Sequence, residues 1–248
     1  MPDAAPRTDT REALLDAAER LFAEHGLRSA SLRSITGEAG TNLAAVNYHF
    51  GSKQGLVEAV FRRRLEPLNR ERLERLADCE RASGGPAVEG IARAFVAPVL
   101  GMLGDRQEGG AAFARLVARS FSEPSEDTRR MLLSAFREVV ERFVAALARA
   151  LPDLPPETLF WRLHFMAGAM AHTAAFGRLA YAISHGRCDP DDTGRMIDEL
   201  TAFLTAGLAA PPACPSAAAD GEIGRLGRGL RHSDVTAARR GEPPEGAG

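Results

Sequence analysis

Apolar residues recur along this chain at intervals of three and four. Leu132, Phe136, Val139, Phe143 and Leu147 make one such stripe, and Leu14, Ala18, Leu21 and Phe22 make another. That spacing gathers side chains on one face of an α-helix. No stretch alternates apolar and polar residues at period two over the length of a strand, and β-branched residues are sparse, so the chain is expected to be all-α. Glycines and prolines interrupt the pattern and mark where helices stop. The expected helices are 9–24, 32–39, 43–50, 52–78, 86–103, 111–122, 125–150, 156–184 and 191–208. Beyond 208 the periodicity ends. The last 40 residues hold 12 glycines and prolines and no aromatic, with five arginines against five acids. Such a composition reads as a disordered tail over 209–248. Its basic stripe, Arg225, Arg228 and Arg231, could meet DNA phosphates but reads first as solvated.

The first three helices are short and closely joined. Gly26 offers the first a left-handed cap, and Ser31 is placed to accept an unpaired amide at the start of the second. The second helix turns Ile35 and Ala39 inward, and Gly40 stops it. Thr41 and Asn42 make the turn, and the third helix turns Val46 and Phe50 inward. Two short helices across a tight glycine-containing turn form the helix-turn-helix pattern, in which the second helix reads DNA. Its outward face carries Leu43, Ala44, Asn47, Tyr48 and His49. Small residues at Ala44 and Ala45 permit close approach to base edges. Asn47 can pair bidentately with adenine, Ala44 can meet a thymine methyl, and Tyr48 and His49 can donate to phosphates. An exposed polar helix needs no partner, so charge has to help decide. Between Arg28 and Arg64 six basic residues stand against two acids, although the whole chain carries a net charge of -2. A local basic excess on a mildly acidic protein is what DNA binding requires. Lys53, the sole lysine, follows Gly51 and the expected N-cap Ser52. A cation in a first helical turn opposes the helix dipole unless an anion meets both, and a DNA phosphate would be that anion; a solvated lysine is the alternative.

The rest of the composition removes competitors. A 248-residue chain that is 45 % hydrophobic can bury a substantial core. Cys79, Cys188 and Cys214 are odd in number and far apart, forming neither a zinc pair nor a disulfide framework, which suits a reducing cytoplasm. No apolar run approaches the roughly 20 residues of a membrane span, and the polar start with Asp3 does not read as a secretory signal. There is no glycine-rich phosphate loop, no nucleophile elbow and no metal-ligand spacing of His and Cys. No catalytic residue, metal or cofactor is therefore expected, and a small all-α enzyme is the remote alternative.

The motif Leu21-Phe22-Ala23-Glu24-His25-Gly26, then Ser31-Leu32-Arg33-Ser34-Ile35, Ala39-Gly40, and Asn47-Tyr48-His49-Phe50-Gly51-Ser52-Lys53 resemble the DNA-binding domain of the TetR family. The resemblance covers residues 8–61. It implies phosphate contacts at Ser31, Arg33, Thr41, Tyr48 and Lys53, with Asn42 also facing the DNA, and places Leu43, Ala44, Asn47 and His49 nearest the bases. The chain departs from the family at Asn47, where many members carry Tyr, and at Thr36-Gly37, where Gly37 inside a helix costs about 1 kcal/mol relative to Ala. The resemblance further implies a helical ligand-binding and dimerisation domain over 62–208, a homodimer through the last two helices (156–184 and 191–208), and a double-stranded palindromic operator as partner. Asn42 to Phe50, with Leu154-Pro155-Pro156 and the segment Leu159 to Met166, is similar to TetR regulators that answer to fatty acids or acyl-CoA. That narrower likeness implies a small apolar effector. Phe95, Phe113, Phe121, Met131 and Phe136, with Trp161, His164 and Phe165, are the candidates to line its site, core packing being the ordinary role of such residues; an arginine would meet the head group. The expected function is a cytoplasmic repressor released by such an effector, with a multidrug-sensing repressor of an efflux gene as the alternative.

Overall fold

Asp9 opens the first helix, α1 (Thr10–His25), by accepting a hydrogen bond from the Arg11 amide at 3.1 Å. Gly26 closes it with φ +85° and ψ 161°, its N–H returning to the Phe22 carbonyl. This is not the left-handed helical cap expected from the sequence but a more extended conformation at positive φ, and it is open essentially to glycine alone. Ser31 caps α2 (Leu32–Glu38) and Asn42 caps α3 (Leu43–Phe50), each accepting the amide three residues on. Ser52 does the same for α4 (Lys53–Arg81), through the Gly55 amide. The later helices are α5 (Val88–Gly104), α6 (Glu126–Ala150), α7 (Pro156–Ile183) and α8 (Thr193–Ala209). The computed structural model describes residues 9–82, 85–104 and 126–212, and the single positions 110, 113, 116, 117 and 120 between them. Among the described residues every regular element is helical.

The all-α expectation holds, and most helix limits fall within three residues of the expected ones. Positions 110, 113, 116, 117 and 120 are helical, in agreement with the helix expected over 111–122; its other residues, Phe121 included, lie outside the described ones. Two differences matter. Helix α7 is broken at Phe176 (φ -124°, ψ 18°), just before Gly177, whose missing side chain leaves room for Pro190. Helix α8 runs through Ala209, the first residue of the expected tail, and that tail lies outside the described residues from 213 onward.

Two apolar cores are strung along α4, whose 29 residues span about 43 Å at helical rise. The first joins Leu14, Leu15, Ala18 and Phe22 of α1, Ile35 of α2 and Val46 of α3 to Leu56, Val60, Phe61 and Leu65 of α4, with Phe113 and Leu116. The second joins Leu76 of α4 to Phe95 of α5, Phe143 and Leu147 of α6, Leu163 and Met166 of α7, and Leu204 and Leu208 of α8. Each fully buried Leu or Phe contributes about 1.5–3 kcal/mol by leaving water. Pro67 lies in α4 between Leu65 and Leu68, both of the first core. Among the described residues no helix is long and apolar enough to cross a membrane.

Candidate nucleic-acid interface

Helix α3 is held from below by Val46, which is fully buried, and by the half-buried Phe50. Helical periodicity then turns Leu43, Ala44, Asn47 and Tyr48 outward, and all four are exposed; Tyr48 is 85 % exposed. His49 is half-buried, its ring 5.0 Å from that of Tyr48 in an edge arrangement. The turn before α3 is tight, with the Thr41 amide donating to the Thr36 carbonyl at 2.9 Å. Ser31 and Arg33 stand exposed at the start of α2. The ten positions named from sequence thus lie on the turn, on α3, and at the starts of α2 and α4.

Three of them already have partners within the chain. The Ser31 hydroxyl accepts the Ser34 amide at 3.0 Å, and the Asn42 carbonyl oxygen accepts the Ala45 amide at 3.1 Å. Asn42 is therefore a helix cap, and the signal for it is an Asn directly before the first residue of α3. Lys53 donates from Nζ to the carbonyl of Arg28 at 3.1 Å, tying the start of α4 to the loop after α1. Burial pushes its ammonium below the ordinary lysine value.

The basic excess read from residues 28–64 is redistributed by the fold. Arg63 and Arg64 turn toward α1, where the buried Glu19 receives both: Arg63 Nη2 at 2.6 Å and Arg64 Nη2 at 2.9 Å. Arg63 also reaches Asp16 at 2.7 Å and Glu12 at 3.3 Å. Burial acts to lower the Arg63 pKa, but its bonds to Glu19 and Asp16 outweigh that and raise it. Arg20 pairs with Glu38 across α1 and α2 at 2.7 Å. Arg28, Arg33 and Lys53 are left near the α2–α3 turn, while Arg63 and Arg64 lock α4 to α1.

Gly55 is a structural requirement not read from the sequence. A side-chain carbon there would overlap the carbonyl oxygen of Phe50, the last residue of α3. Its signal is a glycine in the first turn of a helix, where helix propensity alone would favour any other ordinary residue.

The expected effector-lining residues do not converge on one site. Phe113 is buried with its ring 5.8 Å from that of Phe61, and Phe95 is buried against Phe143 at 5.1 Å. Met131 lines a cleft of about 630 Å³ between α4 and α6, together with Phe61, Leu65 and Asn69. Phe136 packs half-buried on the first core. Trp161, His164 and Phe165, by contrast, point out of the chain on the surface of α7, with Trp161 stacked on Phe165 at 5.8 Å. The inward stripe of α7 is Leu159, Arg162, Leu163 and Met166, so its helical phase carries the aromatic positions away. A second cleft, about 720 Å³, lies between the end of α7 and α8 and is bordered by Phe176, Ile183, Met196 and Phe203. Among the described residues no cluster of three or more His, Cys, Asp or Glu could hold a metal.

Residues 14–60 match the family model of bacterial regulatory proteins, tetR family, and residues 93–207 match that of the tetracyclin repressor-like C-terminal domain. The HTH-type transcriptional regulator BetI of Agrobacterium fabrum is 32 % identical over 152 residues, which cover 61 % of this chain and 70 % of BetI. The chain belongs to the TetR family. Members of this family are DNA-binding transcriptional regulators rather than enzymes, and the helix-turn-helix of α2 and α3 lies within the matched TetR N-terminal region. The TetR fold extends over the rest of the helical unit. The fatty acid degradation regulator FadR of Bacillus halodurans superposes with a TM-score of 0.61 at 13 % identity, covering 84 % of this chain and all of that one. FadR of Bacillus subtilis, solved with stearoyl-CoA, gives 0.60 at 12 % identity, covering 79 % of this chain and 98 % of that one.

Proposed function

We propose that this regulator is a cytoplasmic homodimeric repressor that grips a palindromic operator with α3 and leaves it when a small apolar effector, a fatty acid or its coenzyme A ester, binds among the later helices. The observation that carries the DNA-reading part is α3 itself. It is a capped helix of eight residues, anchored by Val46, that leaves Leu43 and Tyr48 in solvent. A major groove covers such a face and gives Asn47 a base edge to read. On this reading residues 8–61 serve DNA and residues 62–208 serve effector and dimer.

A second copy of the chain accounts for the outer faces of α7 and α8. Trp161 and Phe165 of α7 and Phe203 of α8 are each at least 60 % exposed. Monomeric proteins rarely leave so much large apolar surface in water, and a two-fold dimer would cover the same patch on both copies and match a palindrome.

The cleft between α4 and α6 is the candidate effector site: Phe61, Leu65 and Met131 are its apolar part, Arg62, Arg130 and three carboxylates line it as well, and Phe61 and Leu65 belong to the core that also seats the reader helices. The likeness in fold to Bacillus subtilis FadR, which holds stearoyl-CoA, favours a lipid as occupant. Pro67 supplies no amide to the Arg63 carbonyl, so α4 lacks one of its own hydrogen bonds beside the first core and this cleft. An occupant that shifted α4 there would change the spacing of the two reader helices, which must meet half-sites about 34–36 Å apart. The effector acts only through unequal affinity for the two states, with a coupling expected at about 1–3 kcal/mol.

Two substitutions test the DNA contacts in a binding assay against operator and altered operators. Asn47→Ala should cost about 1–3 kcal/mol and relax preference at one position in each half-site, because a bidentate base pair is lost. Lys53→Ala should weaken all sequences alike and flatten the salt slope by about one unit. Equal loss at every base for Asn47→Ala, or an unchanged slope for Lys53→Ala, would remove that residue from the interface.

A further inference from the structure

Helix α4 buries Leu65, Leu68 and Leu76, and the same stripe buries Arg72, which is 2 % exposed. Its guanidinium lies over the ring of Phe95, 4.4 Å from the centroid. Nε donates to the Phe95 carbonyl at 2.9 Å, Nη1 to Asn69 Oδ1 at 3.3 Å, and Nη2 to the sulfur of Met170 at 3.1 Å. Three of the five donors of this fork therefore meet neutral acceptors, one of them a thioether. No carboxylate among the described residues forms an ion pair with it. Other enclosed arginines are satisfied differently. Arg63 and Arg64 share Glu19, and Arg162 donates to the carbonyls of Leu208 and Ala210 at the C-terminal end of α8, where the helix dipole is negative. A buried cation without an anion carries a large desolvation cost. Packing does not call for one, because a leucine would complete the stripe. Burial pushes Arg72 down to about 10, so it remains protonated at neutral pH.

Asn69 connects this cation to the cleft between α4 and α6. Its side chain lines the cleft, its Nδ2 donates to the Ala135 carbonyl at 2.8 Å, and its Oδ1 holds Arg72. At 3.3 Å that last bond is at the long end for N–H···O, and a charged oxygen would compete for it well. We infer that the effector is a free carboxylic acid, whose apolar chain lies along Phe61, Leu65 and Met131 and whose carboxylate displaces the Asn69 oxygen and pairs with Arg72. This rests on the reading of the chain as an effector-released repressor, and narrows the effector from lipids at large to the acid form. The cleft volume of about 630 Å³ suits such a molecule. A coenzyme A ester has no carboxylate to offer Arg72, and its phosphates would stay at the cleft's Arg62 and Arg130.

The test uses the unmodified full chain bound to a labelled operator. Straight-chain acids from octanoic to octadecanoic are titrated in, each beside its methyl ester and its coenzyme A ester. At the best chain length the acid should release the DNA at a concentration at least about tenfold below the methyl ester, as loss of a charge-assisted pair requires. Arg72→Met should still bind the operator but lose the preference for acid over ester, while Arg72→Lys should keep part of it. Equal release by acid and methyl ester, or an acid preference that survives in Arg72→Met, would overturn the carboxylate pairing and leave an apolar effector standing. Release by the coenzyme A ester alone would overturn it in favour of a head group held outside. Silence from every compound would overturn both this pairing and the lipid reading beneath it. If Arg72→Met does not fold, the acid and ester comparison on the unmodified chain still decides.

Discussion

Gly55→Ala is expected to lose operator binding and to unfold at a lower temperature. Helices α3 and α4 are joined by two residues, Gly51 at φ +73° and the cap Ser52, so the end of one helix lies directly against the first turn of the next. A Cβ at position 55 would overlap the Phe50 carbonyl oxygen and stand 3.2 Å from its carbon. Those are backbone atoms and cannot rotate aside as a side chain would. Relief has to come from moving α3, the proposed reader helix, relative to α4. Overpacking of this kind costs about 1–3 kcal/mol, or about 2–4 °C of Tm per kcal/mol for a domain of this size. Gly37 is the internal control. It lies within α2 with nothing within 4 Å of its would-be Cβ, so Gly37→Ala should raise stability by about 0.5–1 kcal/mol. Thermal melts of the two variants should move in opposite directions, and DNA binding should fall for Gly55→Ala alone. A Gly55→Ala protein with unchanged Tm and affinity would show that the α3–α4 junction is not as close as described.

Glu19→Ala should be the most destabilising single change in the N-terminal helices. Glu19 is 3 % exposed and lies on the stripe of α1 that also buries Leu15, Ala18 and Phe22. Removing one partner of a buried ion pair typically costs about 3–5 kcal/mol, because the other charge stays behind without compensation. Arg63 would keep Asp16 and Glu12, so the value should fall toward the low end. Urea unfolding measures it. A change within about 0.5 kcal/mol, the range of ordinary surface substitutions, would mean the clasp is not structural. Because the clasp fixes α1 to α4, a Glu19→Gln protein that still folds should also respond less sharply to effector.

What the sequence makes legible is mainly what depends on near neighbours. The caps Ser31 and Ser52 act on amides three residues away, and both are readable; Asn42 obeys the same rule although it reads first as a turn residue. Stripe phase is legible for α6, where Leu132, Val139, Phe143 and Leu147 are buried as their spacing predicts. It misleads in α7, where Arg162 occupies the buried stripe and the aromatic residues Phe160, Trp161 and Phe165 look like the core. Pairings between distant residues are not legible at all. Arg63 meets Glu19 across 44 positions, so a basic run that sums toward DNA on paper is neutralised by α1 in the fold. Glu19 and Arg72 leave a faint trace, since each is a charge at a stripe position. Spacing says buried while residue type says exposed, and only the fold shows whether the partner is a charge, as for Glu19, or neutral groups, as for Arg72.

The most direct test of effector-controlled DNA reading is fluorescence anisotropy of a labelled promoter fragment from beside the gene, titrated first with protein and then with fatty acids of increasing length. The expected result is binding of a dimer to one palindrome, with affinity falling steeply as salt rises, followed by release with a clear optimum in chain length. Binding without sequence preference would contradict it, as would an operator complex that ignores every acid and ester and dissociates with a cationic drug.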